Sequence, residues 1–430
     1  MKKIISIVCT LLLVTTASAQ IDLMQAFKEA LQADPTLAQA KTKENWSDEN
    51  VPINRAALLP SLVGQGNYNR QSETSLSGLS AQSESFNLNL KQTIFNANSW
   101  LTLKGADYGA KAAALTYAAA VQDLIVRTTT AYVAVVTAQK QLQLTLINRN
   151  NYDNLLHQNE LRFKAGLVKT ADVDNARAAY EGSLPTVVTA QNNLIKQQAA
   201  LTAITNQAAT ALKSLQEPIP LIKPNPTKLI AWLDAVNKNN LVVRSDRYTL
   251  QADHAIVHAN EANHLPNVAA NVNYSNSNGN SISAPEGNSA NANLQLQIPI
   301  FQGGLVVAQS HQAADQYGQD QAQLILDFRT KIADAKTNYA GVLNGIAAIL
   351  ADQAAIKAYQ EAYKSTDIAY HAGLKNVNIT TVLNTIQTLN QAKINYTNDE
   401  NQYLIALVTL KEDAGTLNIQ DLQNINRWLL

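Results

Sequence analysis

Two periods alternate along this chain of 430 residues. Over long stretches, apolar side chains return at every third and fourth position. Ile325, Phe328, Ile332, Ala335, Tyr339, Val342, Ile346 and Ile349 form one such seam, and Val121, Ile125, Thr128, Tyr132, Val135, Gln139, Leu142 and Leu146 form another. A seam this narrow predicts helices wound left-handedly around one another. No proline falls between Pro60 and Pro185 or after Pro299, and Ala, Gln, Leu and Asn fill these runs, as long helices require. The stretch 303–373 would make a rod of roughly 100 Å at about 1.5 Å per residue. Gly166 and Gly373 interrupt the two patterns, and more helical sequence follows each. Glycine there predicts a reversal, giving antiparallel helical hairpins over about 99–215 and 304–415. Pro185 is expected to kink the second arm of the first hairpin.

Elsewhere the period falls to two. Ala292, Leu294, Leu296, Ile298 and Ile300 alternate with Asn293, Gln295 and Gln297, while Val268, Ala270, Val272 and Tyr274 alternate with Asn267, Asn271 and Asn273. Phe86, Leu88 and Leu90 alternate with Asn87, Asn89 and Lys91. Four strands are predicted, at about 61–71, 86–95, 267–276 and 290–300, the first having the weakest pattern. Polar loops rich in Ser, Asn and Gly join them in pairs, over 72–85 and 275–289. Strands of about 10 residues with one apolar and one Asn/Gln face suit an outer-membrane β-barrel.

The order of elements is written twice. A shift of 206 places Pro60 on Pro266, Tyr68 on Tyr274 and Phe95 on Phe301. A shift of 207 places Tyr132 on Tyr339, Val135 on Val342 and Gly166 on Gly373. This predicts a first repeat over 20–216 and a second over 228–430. Pro218, Pro220, Pro224 and Pro226 mark the linker between them, 217–227. Four strands cannot close a membrane barrel, and an unpaired edge in hydrocarbon costs several kcal/mol per group. Several chains must therefore share a barrel: two would give eight strands and three would give twelve. A conduit for anything large favours three, because an eight-stranded barrel is filled by its own side chains. Tyr68 and Tyr274 fall toward one end of their strands, Phe95 and Phe301 toward the other, as aromatic girdles do.

Composition narrows the function. Lys2 and Lys3, the apolar run from Ile4 to Val14 and the small residues Ala17, Ser18 and Ala19 read as an export signal over 1–19. Cys9, the one cysteine, lies inside it, which removes disulfides and thiolate chemistry from the exported chain. Without the two leading lysines, 31 basic residues face 33 acidic ones, a balance that favours no nucleic-acid partner. After residue 20, no run of about 18 apolar residues predicts a membrane-spanning helix.

Candidate chemistry is sparse. His254 and His258 are four apart with Glu261 and His264 nearby, yet no third metal ligand is fixed. Gly303 and Gly304 lack the spacing of a phosphate loop and read as a tight strand-to-helix turn. Asp172 and Asp174 follow the Gly166 turn, where a helix start favours acids. No nucleophile, zinc or nucleotide motif is present, so no enzyme is expected and no cofactor is implied.

Several short segments stand out: Leu-Pro-Ser-Leu at 59–62, Gln-Thr-Ile-Phe at 92–95, Pro-Ile-Phe-Gln-Gly-Gly at 299–304 and Arg-Phe-Lys-Ala-Gly-Leu-Val at 162–168. Asp-Val-Asp-Asn-Ala-Arg at 172–177 and Gly-Thr-Leu-Asn-Ile-Gln-Asp-Leu at 415–422 complete the set. With the order of elements, they resemble the TolC family of outer-membrane channel-tunnels. The resemblance implies a mixed α+β membrane protein assembled as a homotrimer. It would have a 12-stranded β-barrel in outer-membrane lipid and a periplasmic tunnel of coiled-coil hairpins. It implies passive efflux of drugs or secretion of proteins by the type I route. A periplasmic adaptor and an inner-membrane pump of ABC, RND or MFS type would dock on the tunnel. It also implies an entrance gate at the two glycine turns, formed by Tyr370, Lys375 and Asp172, with Asp174 close by. Where the family carries two inner aspartates, this chain reads Thr381 and Asn384, which implies weaker cation selectivity. The alternative is a soluble exported coiled-coil protein such as a periplasmic adaptor, but an adaptor has no use for duplicated ten-residue amphipathic strands.

Overall fold

A computed structural model describes residues 20–72, 80–209, 211–279, 286–374 and 376–430. The export signal expected over 1–19, and Lys375 at the second turn, lie outside the described residues.

The chain opens with two helices, α1 (Leu23–Ala33) and α2 (Pro35–Ala56). Asp34 ends the first and caps the second, its side chain accepting from the Leu37 amide at 2.7 Å; Pro35, with no amide hydrogen to satisfy, fits the first helical position. Strands β1 (Ser61–Ser72) and β2 (Ser80–Phe95) follow. Then come the two arms of the first hairpin, α3 (Ala97–Lys164) and α4 (Thr170–Thr205). After an extended strap the order repeats: helices α5 (Leu229–Asn239) and α6 (Leu241–Glu261), strands β3 (Asn267–Gly279) and β4 (Gly287–Gln297). The second hairpin is α7 (Leu305–His371) and α8 (Ile379–Asp413), and a short α9 (Ile419–Asn426) follows. At 67 residues α7 is a rod of roughly 100 Å.

The main core forms around α3, which packs against α1, α2, α4, α6 and α8. The first seam is therefore well covered: Ile125, Thr128, Tyr132 and Val135 are all buried. The matching seam in α7 is covered along most of its length: Ala335, Val342 and Ile349 are buried one heptad apart, and Ile332, Tyr339 and Ile346 pack against the same core. Within one chain α7 packs mainly on α8 and α6, and its seam opens to solvent at Ile325, which is 45% exposed. Equivalent tyrosines in the two repeats anchor the strap. Tyr132 donates to the carbonyls of Ile21 and Lys213, at 3.0 and 2.9 Å, and Tyr339 donates to the carbonyl of Thr227.

The four strands form one antiparallel sheet in the order β1-β2-β3-β4. The repeats meet at β2–β3, leaving β1 and β4 as edges. The strands depart from the expected limits for a physical reason. β2 begins at Ser80, six residues before the expected start, and β3 runs on to Gly279. The apolar alternation stops before these ends, yet the pairing continues on polar rungs. Ser275 and Ser289 share a hydroxyl–hydroxyl bond of 2.7 Å, and Asn276 donates to Asn288. Backbone pairing does not need an apolar face, so hydropathy alone under-reads these strands. β4 errs the other way and ends at Gln297, short of Ile300. Pro299 has no amide to donate to a ladder, so Ile298, Ile300 and Phe301 lie beyond the strand.

The first hairpin also ends early, at Thr205 rather than 215, where Asn206 takes a left-handed conformation with φ of 52°. Residues past it are extended: Leu212 bridges to Ile21 and Leu215 to Leu429. Pro185 sits inside α4, which runs unbroken through it.

Candidate functional site

The strand register decides which side chains share a face. Leu62 pairs with Leu90, and Leu90 with Val272. Gly64 pairs with Leu88, and Leu88 with Tyr274. Ala270 pairs with Leu294 and Val268 with Leu296. Directly paired residues of an antiparallel sheet point the same way, so these form one apolar surface across all four strands. The intervening rungs form a polar one. Gln65 pairs with Asn87, Asn89 with Asn273, and Asn271 with Asn293, whose side chains hydrogen-bond at 3.2 Å. The apolar surface is bare: Leu294 is 71% and Leu62 is 68% exposed. A sheet with one solvated Asn/Gln face and one continuous bare hydrocarbon face is built for lipid outside and water inside. Tyr68 and Tyr274 lie in the halves of β1 and β3 farther from the helices. Phe95 closes β2 at the helical end, and Phe301 lies past the end of β4 at 85% exposure.

The two strand-to-helix turns solve one problem differently. Gly303 and Gly304 both have positive φ, 61° and 85°, and Gly304 precedes α7. In the first repeat Asn96 performs the same task, its side chain accepting from the Ser99 amide at 3.1 Å.

At the far end of the helices the two glycine turns are copies of each other. Gly166 and Gly373 have φ of 74° and 73°. In the first turn the Leu167 amide donates to Arg162 and the Gly166 amide to Phe163; in the second, Leu374 donates to Ala369 and Gly373 to Tyr370. This paired bonding closes a helix through a left-handed residue, which glycine adopts without Cβ strain. The turns then diverge. Three residues separate Gly166 from α4, whereas five separate Gly373 from α8. Asp172 and Thr381 nevertheless occupy the same third position of their helices. Asp172 accepts from the Lys169 amide at 3.1 Å, whereas Thr381 donates both its amide and its hydroxyl to the Asn378 side chain, at 3.0 and 2.9 Å.

The hairpin tips pack side by side through a small second core containing Tyr152, Leu155, Ala176, Tyr370, Ile379 and Val382. Tyr370 is its centre. Its hydroxyl donates to Asn159, whose amide in turn donates to the Leu155 carbonyl at 2.8 Å. The Arg162 guanidinium lies 4.9 Å from the centre of the Tyr370 ring, in cation–π range. Burial holds the Tyr370 hydroxyl above its ordinary pKa, and the negative charge of Asp172 adds to this while Arg162 opposes it. Arg177 in α4 clamps Glu160 in α3 at 2.9 Å. Thus Asp172 acts on Tyr370 through its charge, while the hydroxyl bonds Asn159. Asp174, Thr381 and Asn384 are exposed and outside the packed cluster.

Asn159 and Arg162 are functional candidates that sequence reading missed. A signal existed for Asn159: positions 152, 155 and 159 repeat the three–four spacing in a shifted register, which makes it a polar residue on an apolar stripe. His254 and His258 meet edge to face at 4.5 Å, and His258 pairs with Glu261 at 2.8 Å. No group of three metal-ligating side chains occurs among the described residues.

A sequence description of one protein family, the outer membrane efflux proteins, matches this chain twice, over residues 26–207 and again over 232–416. The chain belongs to that family. Its duplication is thus the family's own unit, one match per repeat. Like its family, the efflux protein is an outer-membrane channel protein, and the family and its structural neighbours are channels rather than enzymes. The reading as a soluble adaptor is not favoured. The chain is 26% identical over 444 residues to the outer membrane protein TolC of Vibrio cholerae, covering 100% of this chain and 99% of that one. It is 29% identical to the proteases secretion protein PrtF of Dickeya chrysanthemi, covering 94% and 90% of the two chains. In fold it is similar to the outer membrane protein VceC of Vibrio cholerae, with a TM-score of 0.79 at 17% identity and coverage of 91% and 96%.

Proposed function

We propose that the efflux protein works as a homotrimeric conduit. Three four-stranded sheets close a 12-stranded barrel in outer-membrane lipid, and three pairs of hairpins form the tunnel beneath it. The observation that carries this reading is the sheet itself. It has an apolar face in register across four strands, a polar opposite face, and edges β1 and β4 unpaired within the chain. Such edges cannot remain open in hydrocarbon, and a neighbour's β4 is a ready partner for β1. The exposed end of the α7 seam, at Ile325, supports the same neighbour.

The hairpin tips are the periplasmic entrance in this reading. The Tyr370–Asn159 bond, with Arg162 and Asp172 around it, holds the second hairpin against the first. A periplasmic adaptor and an inner-membrane pump dock there and loosen it. The cargo is drugs or secreted proteins; secretion is favoured by the similarity to PrtF, whose name states that role.

The test is disulfide trapping between neighbouring edges, in a chain whose one cysteine lies in the expected signal. Cysteines are placed singly and in pairs along β1 and β4, beginning with Asn67→Cys and Asn291→Cys. Oxidised outer membranes should yield a ladder ending at a covalent trimer. A ladder ending at the dimer, or β1–β4 pairs that never cross-link in any register, would rule the arrangement out.

A further inference from the structure

A cleft of about 460 Å³ lies where α3, α8 and the strap before the linker meet. Val136, Lys140, Leu215, Glu217 and Glu400 contribute to its lining. Its volume falls in the range of small-molecule sites. Glu400 is only 5% exposed, and its Oε1 is buried with no hydrogen-bond partner. Tyr396 on the same helix serves the carboxyl from one side. The nearest cation is committed elsewhere: Lys140 Nζ from α3 bonds Glu217 Oε1 on the strap at 2.6 Å. Thr397, a turn before Glu400 and also in the lining, donates its hydroxyl to the Lys393 carbonyl at 3.0 Å. A buried acceptor in the cleft's lining is thus without a partner, and buried polar groups are rarely left so.

A partner for Oε1 must donate a proton, and one that is also positively charged is favoured by the ionised carboxyl. A divalent metal ion is a poor match, because hard cations gather six or more oxygens and Glu217 is held by Lys140. A protonated amine needs one strong acceptor and a wall for its carbon atoms, and Val136 and Leu215 supply the wall. We propose that this cleft binds a small primary ammonium compound, its cationic head donating to Glu400 Oε1 and its hydrocarbon lying against Val136 and Leu215.

Three groups act on Glu400 besides burial: Tyr396 on α8, Lys140 on α3 and Glu217 on the strap. Burial dominates and pushes the carboxyl up to about 7. Below neutrality the ligand therefore competes with a proton, and binding weakens as pH falls.

Isothermal titration calorimetry on the full assembled chain in nanodiscs tests this, with butylammonium chloride as the probe and butanol as its neutral counterpart. Butylammonium should bind saturably, with one site per chain, and ~10-fold more weakly at pH 6 than at pH 8. Butanol should show no saturable site. Glu400→Gln should abolish the pH dependence and most of the affinity, whereas Lys140→Met should tighten binding by removing a competing cation. A damaged fold would not tighten, so the second variant separates misfolding from loss of the site. Absence of saturable binding, equal binding of butanol, or unchanged binding in Glu400→Gln would each overturn the proposal.

Discussion

The hydroxyl of Tyr370 in α7 donates to the side chain of Asn159 in α3, across 211 positions of sequence. Asn159 is 0% exposed, and its amide is held by its own helix. This is a buried, oriented bond between the two hairpins, placed about one turn before Gly373 and about two turns before Gly166. Removing either partner leaves the other unsatisfied, at a cost of about 1–3 kcal/mol. Tyr370→Phe and Asn159→Ala should each raise channel conductance in planar bilayers. The double variant should do little more than the stronger single one, because both remove the same bond. Full additivity would show that the bond does not hold the entrance.

Ion selectivity should follow the charge of the exposed tip. Thr381 and Asn384 place neutral side chains at the start of α8, where a ring of three acids would concentrate cations. Reversal potentials in asymmetric KCl should shift toward cations in Thr381→Asp and Asn384→Asp, and further in the pair. Strong cation selectivity in the unaltered protein would assign the ring to Asp172 and Asp174 instead.

Asp34 should be the acid-sensitive joint of the helical base. Arg127 grips both its oxygens, at 2.8 and 3.1 Å, while Asp34 also caps α2. The guanidinium, above all, holds its carboxyl below the usual aspartate value of 3.8. The folded state therefore prefers the ionised form. That stability is present above the unfolded value near 3.9 and is lost as pH falls through the lower folded one. Asp34→Ala should cost about 2–3 kcal/mol at neutral pH, from the broken pair and the lost cap. Thermal melts followed by circular dichroism should show this gap narrowing on strong acidification.

Two acid pairs between α6 and α7 should act in the opposite sense. Asp246 faces Asp327, and Asp253 faces Asp320 one heptad away. Gln323 and Gln316 donate to Asp327 and Asp320, each at 2.8 Å, which leaves the partner in α6 to hold the shared proton. Burial, and then the facing acid, push Asp246 up to about 6 and Asp253 up to about 7. The folded state thus binds these protons more tightly than the unfolded chain. Their contribution to stability is greatest below about pH 4 and declines as pH rises through about 7. The double variant Asp246→Asn with Asp253→Asn should melt higher than the parent at pH 8, with the advantage vanishing near pH 4. A melting difference independent of pH would refute the shared protons.

The sequence by itself determined the periodic parts of this protein. Seams of three–four spacing demand long packed helices, alternation of two demands strands, and the double occurrence of both sets the order of elements. Gly166 and Gly373 marked the reversals because a left-handed turn is a local backbone requirement. What depends on distance along the chain was not legible. Neither strand hydropathy nor spacing could show that β2 and β3 extend past their apolar rungs, since a ladder is held by backbone groups that every residue carries. Position in the bundle decided that α3 is packed by five helices while its copy α7 leaves Ile325 exposed at the start of its seam, although the two patterns read alike. Tertiary packing alone gave Tyr370 its partner. The hydroxyl bonds the buried side chain of Asn159, while Asp172 acts on it through its charge alone.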